Sequence, residues 1–183
     1  MSIKIQNIVA KVSFGQTLDI KKLLELGSPY DVQYKPAMFP GVIVKEWGGP
    51  TFLLFSSGKG VCVGARAVNK CVEAAERLHE KLVKHGMIDD QNITIEIQNV
   101  VASADLGFPV NMKRVAEEME RIMYEPEQFP AAIHYMERPR VAMLIFASGK
   151  MIIAGAKSEE EVVEAYRKML IVLGQFREQE VAT

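Results

Sequence analysis

The sequence predicts an α+β fold in which one unit, about five antiparallel strands and two helices, occurs twice and forms a pseudo-two-fold pair. Three observations predict it. First, ordered segments recur at a nearly constant spacing. "IQNIVA" (Ile5–Ala10) returns as "IQNVVA" (Ile97–Ala102), 92 residues on; "YKPAMFPG" (Tyr34–Gly41) returns as "YEPEQFPA" (Tyr124–Ala131), 90 on; "LLFSSGKGVCVGAR" (Leu53–Arg66) returns as "LIFASGKMIIAGAK" (Leu144–Lys157), 91 on. Three ordered matches mark the duplication of a unit of about 90 residues, and two copies are too few for a solenoid. Second, the turns between the apolar runs are too short for parallel crossovers, so the strands must pair antiparallel. Third, each unit closes on a long amphipathic segment of helical period. The repeats are set at 1–91 and 92–183, intimately joined as one domain.

Element by element, the units read alike. A long strand comes first, Ile3 to Phe14 and again Ile93 to Ala104. A short helix follows, in "LDIKKLLELG" and in "NMKRVAEEMERIM", the second with Asn111 placed as N-cap. A short strand then enters the Tyr-X-Pro loop. Three more strands follow, separated by "WGGP" and "SSGK" in the first unit and by "ERPR" and "ASGK" in the second. In the first closing helix Val68, Val72, Ala75, Leu78 and Leu82 fall on one face, with Glu73, Glu76, Glu80 and Lys84 opposite. The second is expected from Ser158 to about Gly174, its "SEEE" start suiting the positive end of the helix dipole.

Composition narrows the function. Hydrophobic residues make up 49% of the chain, enough for a core, and 22 basic against 23 acidic residues leave a formal charge of −1. That balance argues against a protein that holds nucleic acid mainly by neutralising phosphates. The charges are unevenly placed, however: Arg138 to Lys157 holds basic residues and no acid, whereas Ser158 to Thr183 is predominantly acidic. Two cysteines, Cys62 and Cys71, make no disulfide framework and suit a reducing compartment. Lys4 and Lys11 interrupt the start of the chain, against a secretory signal, and the uncharged stretches fall short of a membrane helix.

One sheet face is left over. Antiparallel sheets usually show one apolar and one polar face, yet here both faces of the strands are apolar. Ile8, Leu54 and Cys62 share one face in the first unit, and Val9, Leu53, Phe55, Val61 and Val63 the other. The second unit sets Val100, Ile145 and Ile153 against Val101, Leu144, Phe146 and Ile152. Two helices cover one face of a five-stranded sheet, so something else must bury the second: a partner outside the chain, or the other unit in a sheet-on-sheet sandwich. Asn7, Asn99, Ser57, Ser148, Lys59 and Lys150 share that second face, and a sandwich core would leave them poorly satisfied. A strand phenylalanine is ordinarily core. Phe39 with Phe55, and Phe129 with Phe146, are instead two symmetric pairs beside basic turns, within reach of one another across the strands, and read as wedges.

The order "IQNIVA", "YKPAMFP", "LLFSSGK", "GAR", then "IQNVVA", "YEPEQFP", "LIFASGK", "GAK" resembles the core domain of the TATA-box-binding protein family over almost the whole chain, nearest its archaeal branch. The resemblance implies a saddle: a curved ten-stranded antiparallel sheet, four helices on its convex side, the other side on the minor groove of double-stranded promoter DNA. Minor-groove kinking by inserted apolar side chains is a device of which that family is a known example. By correspondence the wedges are Phe39 with Phe55 and Phe129 with Phe146. Asn7 and Asn99 offer amides to A N3 and T O2. Val9, Leu53, Val61 and Val63, with Val101, Leu144, Ile152 and Ala154, line the groove. Lys45, Ser57, Lys59, Arg66, Ser148, Lys150 and Lys157 meet phosphates, which position without specifying. The acidic second loop, with Glu125 and Glu127, receives transcription factor B, and RNA polymerase follows indirectly. No cofactor, small-molecule substrate or membrane is implied. The place of action is the cytoplasmic nucleoid for an archaeal member and the nucleus for a eukaryotic one.

The chain departs from the family pattern where the family carries threonine before "GAK": Val63 and Ala154 stand there. Lys45 and Tyr135 occupy the family's phosphate-facing arginine positions, and the first hairpin is one residue shorter, with Trp47 near its tip. These departures open an alternative, a specialised paralogue with weak or no DNA binding that acts through contacts with transcription factors. An enzyme reading lacks a constellation. His79, His85 and His134 fit no zinc spacing with the cysteines, Cys62 faces the helices by strand parity, and there is no phosphate-binding or dinucleotide loop. What remains of that class is an accessory substrate-binding domain of a nucleic-acid enzyme, with no catalytic domain attached.

Overall fold

Continuous apolar runs build the strands, and the glycine-containing turns between them are closed by their own backbone. In the "SSGK" turn the Gly58 N–H donates to Phe55 O at 2.9 Å, and in "ASGK" Gly149 repeats the bond to Phe146 O at 2.9 Å. The structure is a computed structural model that describes residues 2–179. In the first repeat the elements are β1 (Ile3–Ser13), α1 (Ile20–Leu23), β2 (Tyr30–Tyr34), β3 (Val42–Glu46), β4 (Thr51–Leu54), β5 (Lys59–Ala65) and α2 (Val68–Lys84). In the second they are β6 (Thr94–Asp105), α3 (Met112–Glu118), β7 (Ile122–Met123), β8 (Ala131–Met136), β9 (Val141–Phe146), β10 (Lys150–Ala156) and α4 (Glu159–Gly174). Ten strands form an open antiparallel sheet in the order β2-β3-β4-β5-β1-β6-β10-β9-β8-β7, with four helices among the described residues. The predicted α+β tandem repeat is therefore what the chain adopts.

The chain divides into two compact units, one of residues Asn7–Gln98 and one of the residues before Asn7 together with those from Asn99 onward. The division falls inside the long strands, so the first turns of β1 join the second-repeat unit. There the Asp105 N–H donates to Ser2 O at 3.0 Å, and Gln6 Nε2 donates to Ser103 Oγ at 2.8 Å.

Each unit builds its core on the helix side of its strands. In the first, Ile8, Ala10, Val42, Val44, Phe52, Leu54 and Cys62 are fully buried, as are Cys71, Ala74, Ala75, Leu78 and Leu82 of α2. In the second, Val100, Ala102, Met143, Ile145 and Ile153 are fully buried, with Val162, Ala165 and Leu173 of α4. Burying such a Leu, Ile or Val is worth about 1.5–3 kcal/mol each, the main reason the strands take this parity.

Several elements differ from expectation, each for a local reason. Helix α1 is four residues long. Asp19 caps it, accepting the Lys21 N–H at 2.9 Å, but Glu25 and Leu26 then bond to carbonyls three residues back, tightening the turn and seating Leu23 and Leu26 inward. In α3, Asn111 does cap the start, its Oδ1 accepting the Arg114 N–H at 3.1 Å, but the helix stops at Glu118 because Met119 is already extended (ψ 136). The buried face of α2 is rotated toward Cys71 and Ala74, leaving Val68 and Val72 half-buried, because small side chains let the helix lie close on the sheet. Ser158 caps α4, accepting the Glu161 N–H at 3.1 Å, as the acidic start suggests. Glu46 is buried without any sequence warning: Arg77 of α2 grips its two oxygens at 2.7 and 3.1 Å.

Candidate nucleic-acid interface

The face of each unit away from its helices is built by the residues opposite in parity to the core. Its rows follow from strand register. In the first unit Val9 pairs Val63, Val63 pairs Thr51, and Thr51 pairs Lys45; one step along, Lys11, Val61, Leu53 and Ile43 form a second row. In the second unit Ala154, Ala142 and Tyr135 form one row, and Ser103, Ile152, Leu144 and Ile133 the next. Val9, Val61, Val63 and Leu53, with Val101, Ile152, Leu144 and Ala154, are all half-buried, the condition of apolar side chains on a bare sheet face. Register thus brings the sequence-selected apolar residues of each unit together, except Val101, which falls where β6 and β10 shift register. It adds Ile43, Thr51, Ile133 and Ala142, which sequence reasoning did not single out although the parity of Leu53 and Leu144 reaches them.

The aromatic pairs close one end of each apolar face. Phe39 and Phe55 lie with ring centroids 5.8 Å apart at 61°, and Phe129 and Phe146 at 6.3 Å and 63°. Both are edge-on arrangements, the favoured contact between two aromatic quadrupoles. Each loop that presents the leading ring is held alike: the Phe39 N–H donates to Lys35 O at 3.0 Å and the Phe129 N–H to Glu125 O at 2.9 Å. Gly41 makes room in the first repeat, since a Cβ there would stand 2.6 Å from the Phe39 ring. Phe129 is 42% exposed, unusual for a side chain of this size.

The two asparagines are oriented by the backbone. The Gly64 N–H donates to Asn7 Oδ1 at 2.7 Å, and the Gly155 N–H to Asn99 Oδ1 at 2.7 Å. Both glycines stand at positive φ, 92° and 94°, where a side chain would be strained, and that conformation turns the N–H out of the strand ladder toward the asparagine. A backbone N–H can meet only the oxygen of an amide, so each Nδ2 keeps its two donor hydrogens, and neither bonds to another described residue.

Polar and charged groups rim the apolar face. Ser57 Oγ accepts the Lys59 N–H at 3.4 Å and Ser148 Oγ the Lys150 N–H at 3.3 Å, which leaves each hydroxyl proton to be given outward. Lys45, Lys59, Arg66, Lys150 and Lys157 are exposed, and none joins an ion pair among the described residues. Glu125 and Glu127 are likewise exposed and unpaired in the second loop. Burial holds the His134 imidazole below its usual range, so this side chain is neutral near pH 7. Among the described residues no group of His, Cys, Asp and Glu could hold a metal ion, and no helix is long and apolar enough to cross a membrane. Each unit thus carries an apolar face with an amide donor held by the backbone, an aromatic pair and a cationic rim: such a face can meet a groove lined with hydrogen-bond acceptors beside phosphates.

Comparison with known proteins agrees with this geometry. The family model described as "Transcription factor TFIID (or TATA-binding protein, TBP)" matches residues 2–85 and again 94–176. The TATA-box-binding protein of Pyrodictium occultum is 47% identical over 174 residues, covering 94% of this chain and 86% of that one. That of Sulfolobus acidocaldarius is 46% identical over 168 residues, covering 91% and 84%. Among solved structures, Methanococcus jannaschii TBP superposes with a TM-score of 0.84 at 35% identity, covering 96% of this chain and 99% of that one.

Proposed function

The chain belongs to the TATA-box-binding protein family, and from that premise we propose that it is an archaeal-type transcription initiation factor that binds the minor groove of A·T-rich promoter DNA, bends it, and recruits transcription factor B. Its relatives are named for DNA binding and transcription, not for catalysis. The observation that carries the reading is the orientation of Asn7 and Asn99. Minor-groove edges of A·T and T·A pairs present only the acceptors A N3 and T O2, so a reader of that groove needs donors on its face. The Gly64 and Gly155 N–H groups supply them by binding the amide oxygens and leaving the NH₂ groups free to donate.

The remaining residues take roles by their place on the face. The repeats 1–91 and 92–183 act as the two halves of one reading surface. Phe39 with Phe55, and Phe129 with Phe146, enter base steps at either end. Unstacking a step costs a few kcal/mol and is offset by the apolar contact an opened groove allows. Val9, Leu53, Val61 and Val63, with Val101, Leu144, Ile152 and Ala154, supply that contact. Lys45, Ser57, Lys59, Arg66, Ser148, Lys150 and Lys157 hold phosphates. Glu125 and Glu127 give the second loop a charge that the "YKPAMFP" loop lacks, so transcription factor B docks there and RNA polymerase is brought to one side, in the nucleoid.

Bending tests the reading. With dyes flanking an A·T-rich site in a short duplex, energy transfer should change as protein is added, more with transcription factor B present, and should not change on a G·C-rich duplex. Phe129→Ala with Phe146→Ala should abolish the change in folded protein. Folded protein that bends no duplex, even with the partner, would favour the protein-contact paralogue instead.

A further inference from the structure

The two repeats read their halves of the groove with different chemistry, and the difference is concentrated in one row. In the first unit that row is Val63, Thr51 and Lys45; in the second the equivalent row is Ala154, Ala142 and Tyr135. Residues opposite one another on antiparallel strands have Cβ atoms about 4.5–5.5 Å apart, so each row is a continuous strip of side chains. Two β-branched residues fill the first strip. Two alanines leave the second open, and there the face is hollowed by a depression of about 660 Å³, with Ala142, Ala154 and Gly155 on one side and Tyr135, Arg140 and the Arg121–Glu137 ion pair on the other. Gly155 is also the residue that orients Asn99, so the depression adjoins the reading amide.

The ends of the strips differ as well. Lys45 carries a charge and Tyr135 does not, and both stand at the phosphate-facing ends of their strips, beyond the residues that meet the bases. Tyr135 is 56% exposed and its hydroxyl bonds to no other described residue. In the minor groove a G·C pair differs from an A·T pair by one group, the guanine N2 amine, which protrudes and donates. The strip filled by Thr51 and Val63 meets that amine with bulk; the strip left open by Ala142 and Ala154 meets it with space.

We propose that the depression at Ala142 and Ala154 is a specificity pocket for a guanine amino group, so that the second repeat tolerates a G·C pair which the first repeat's Thr51 and Val63 reject. This rests on the minor-groove reading above. Since the protein can turn round on a quasi-symmetric site, one G·C pair in either half is accommodated by presenting the second repeat to it. Two, one in each half, are not.

The test is a duplex series with binding followed by anisotropy. An all-A·T duplex is the reference. A G·C pair is then moved through it one position at a time, singly and at both positions related by the duplex's two-fold axis. At the position facing the row, a single G·C should weaken binding less than about threefold and the double replacement at least about tenfold, the ordinary scale of a wrong pair. Inosine·C pairs, which lack the amine, should restore the double duplex. Ala142→Thr with Ala154→Val should make the single G·C cost about tenfold relative to that variant's own all-A·T affinity, while Tyr135→Phe, at the phosphate end of the row, should leave the single G·C cost unchanged. Equal, full penalties for single G·C pairs at every position in wild-type protein overturn the inference and leave the DNA reading standing. Failure to bind the all-A·T duplex overturns both.

Discussion

At the scale of single residues, the most informative groups are the two asparagines, because their neighbours decide which end of the amide faces out. Their positions are visible in the sequence, in "IQNIVA" and "IQNVVA". Their orientation is not, since each is set by a glycine 56 or 57 residues away on another strand. The wedge phenylalanines were legible for the same reason as the asparagines: repetition beside a turn. Tyr135 and Ala154 were visible only as departures from a pattern and Ala142 not at all, so the hollow they make needed strand register. Asparagine to aspartate isolates the donor. In Asn7→Asp with Asn99→Asp each carboxylate can still accept the Gly64 or Gly155 N–H, so thermal unfolding should shift little. Each NH₂ donor, however, is replaced by a negatively charged acceptor facing A N3 and T O2. Losing such contacts costs about 1–3 kcal/mol per site, so binding to A·T duplex should fall at least about thirtyfold for the pair. Retained affinity in the folded variant would remove the asparagines from the reading surface.

At the scale of elements, hairpins were the most legible part of the chain and helix lengths the least. Tight turns with glycine at fixed places announce themselves, and β3–β4–β5 and β8–β9–β10 stand where the apolar runs put them. The ends of α1 and α3 depend on how buried leucine and methionine side chains seat against the sheet, which propensity does not record. Nor did it record Glu46, an acid at the end of β3 whose partner Arg77 lies 31 residues on, in α2. That cluster makes a prediction about pH. The Tyr30 phenol, 5% exposed and 3.5 Å from Glu46, is pushed up to about 12, first by burial and then by the Glu46 charge. An unfolded tyrosine titrates near 10. The folded state therefore holds this proton more tightly, a stabilisation fully present below pH ~10 and lost as pH rises toward 12. Tyr30→Phe should flatten the fall in melting temperature across that window compared with wild type. An unchanged slope would mean the phenol is not anchored to β3 as described.

At the scale of the whole molecule, the proposed role asks a chain of formal charge −1 to hold a polyanion without an excess of cations. It does so by segregating them: Lys45, Lys59, Arg66, Lys150 and Lys157 are unpaired and rim the helix-free faces, while α4 opens on Glu159, Glu160 and Glu161. Affinity then has two separable parts. The cationic part releases counterions, and the logarithm of the binding constant falls with the logarithm of salt at a slope of about −0.9 per phosphate met. Five such contacts allow a slope of roughly −4 to −5, and the apolar part adds affinity with almost no slope. Titrations of an A·T-rich duplex across a range of salt should therefore show Lys59→Ala with Lys150→Ala making the slope shallower by about 2, while wild type and Phe129→Ala with Phe146→Ala share one slope at different affinities. A wedge variant that changed the slope instead would mean that bending, and not the rim alone, brings the phosphates to the lysines. The net charge would then be tolerated because the DNA is drawn onto the cations only after the phenylalanines have opened it.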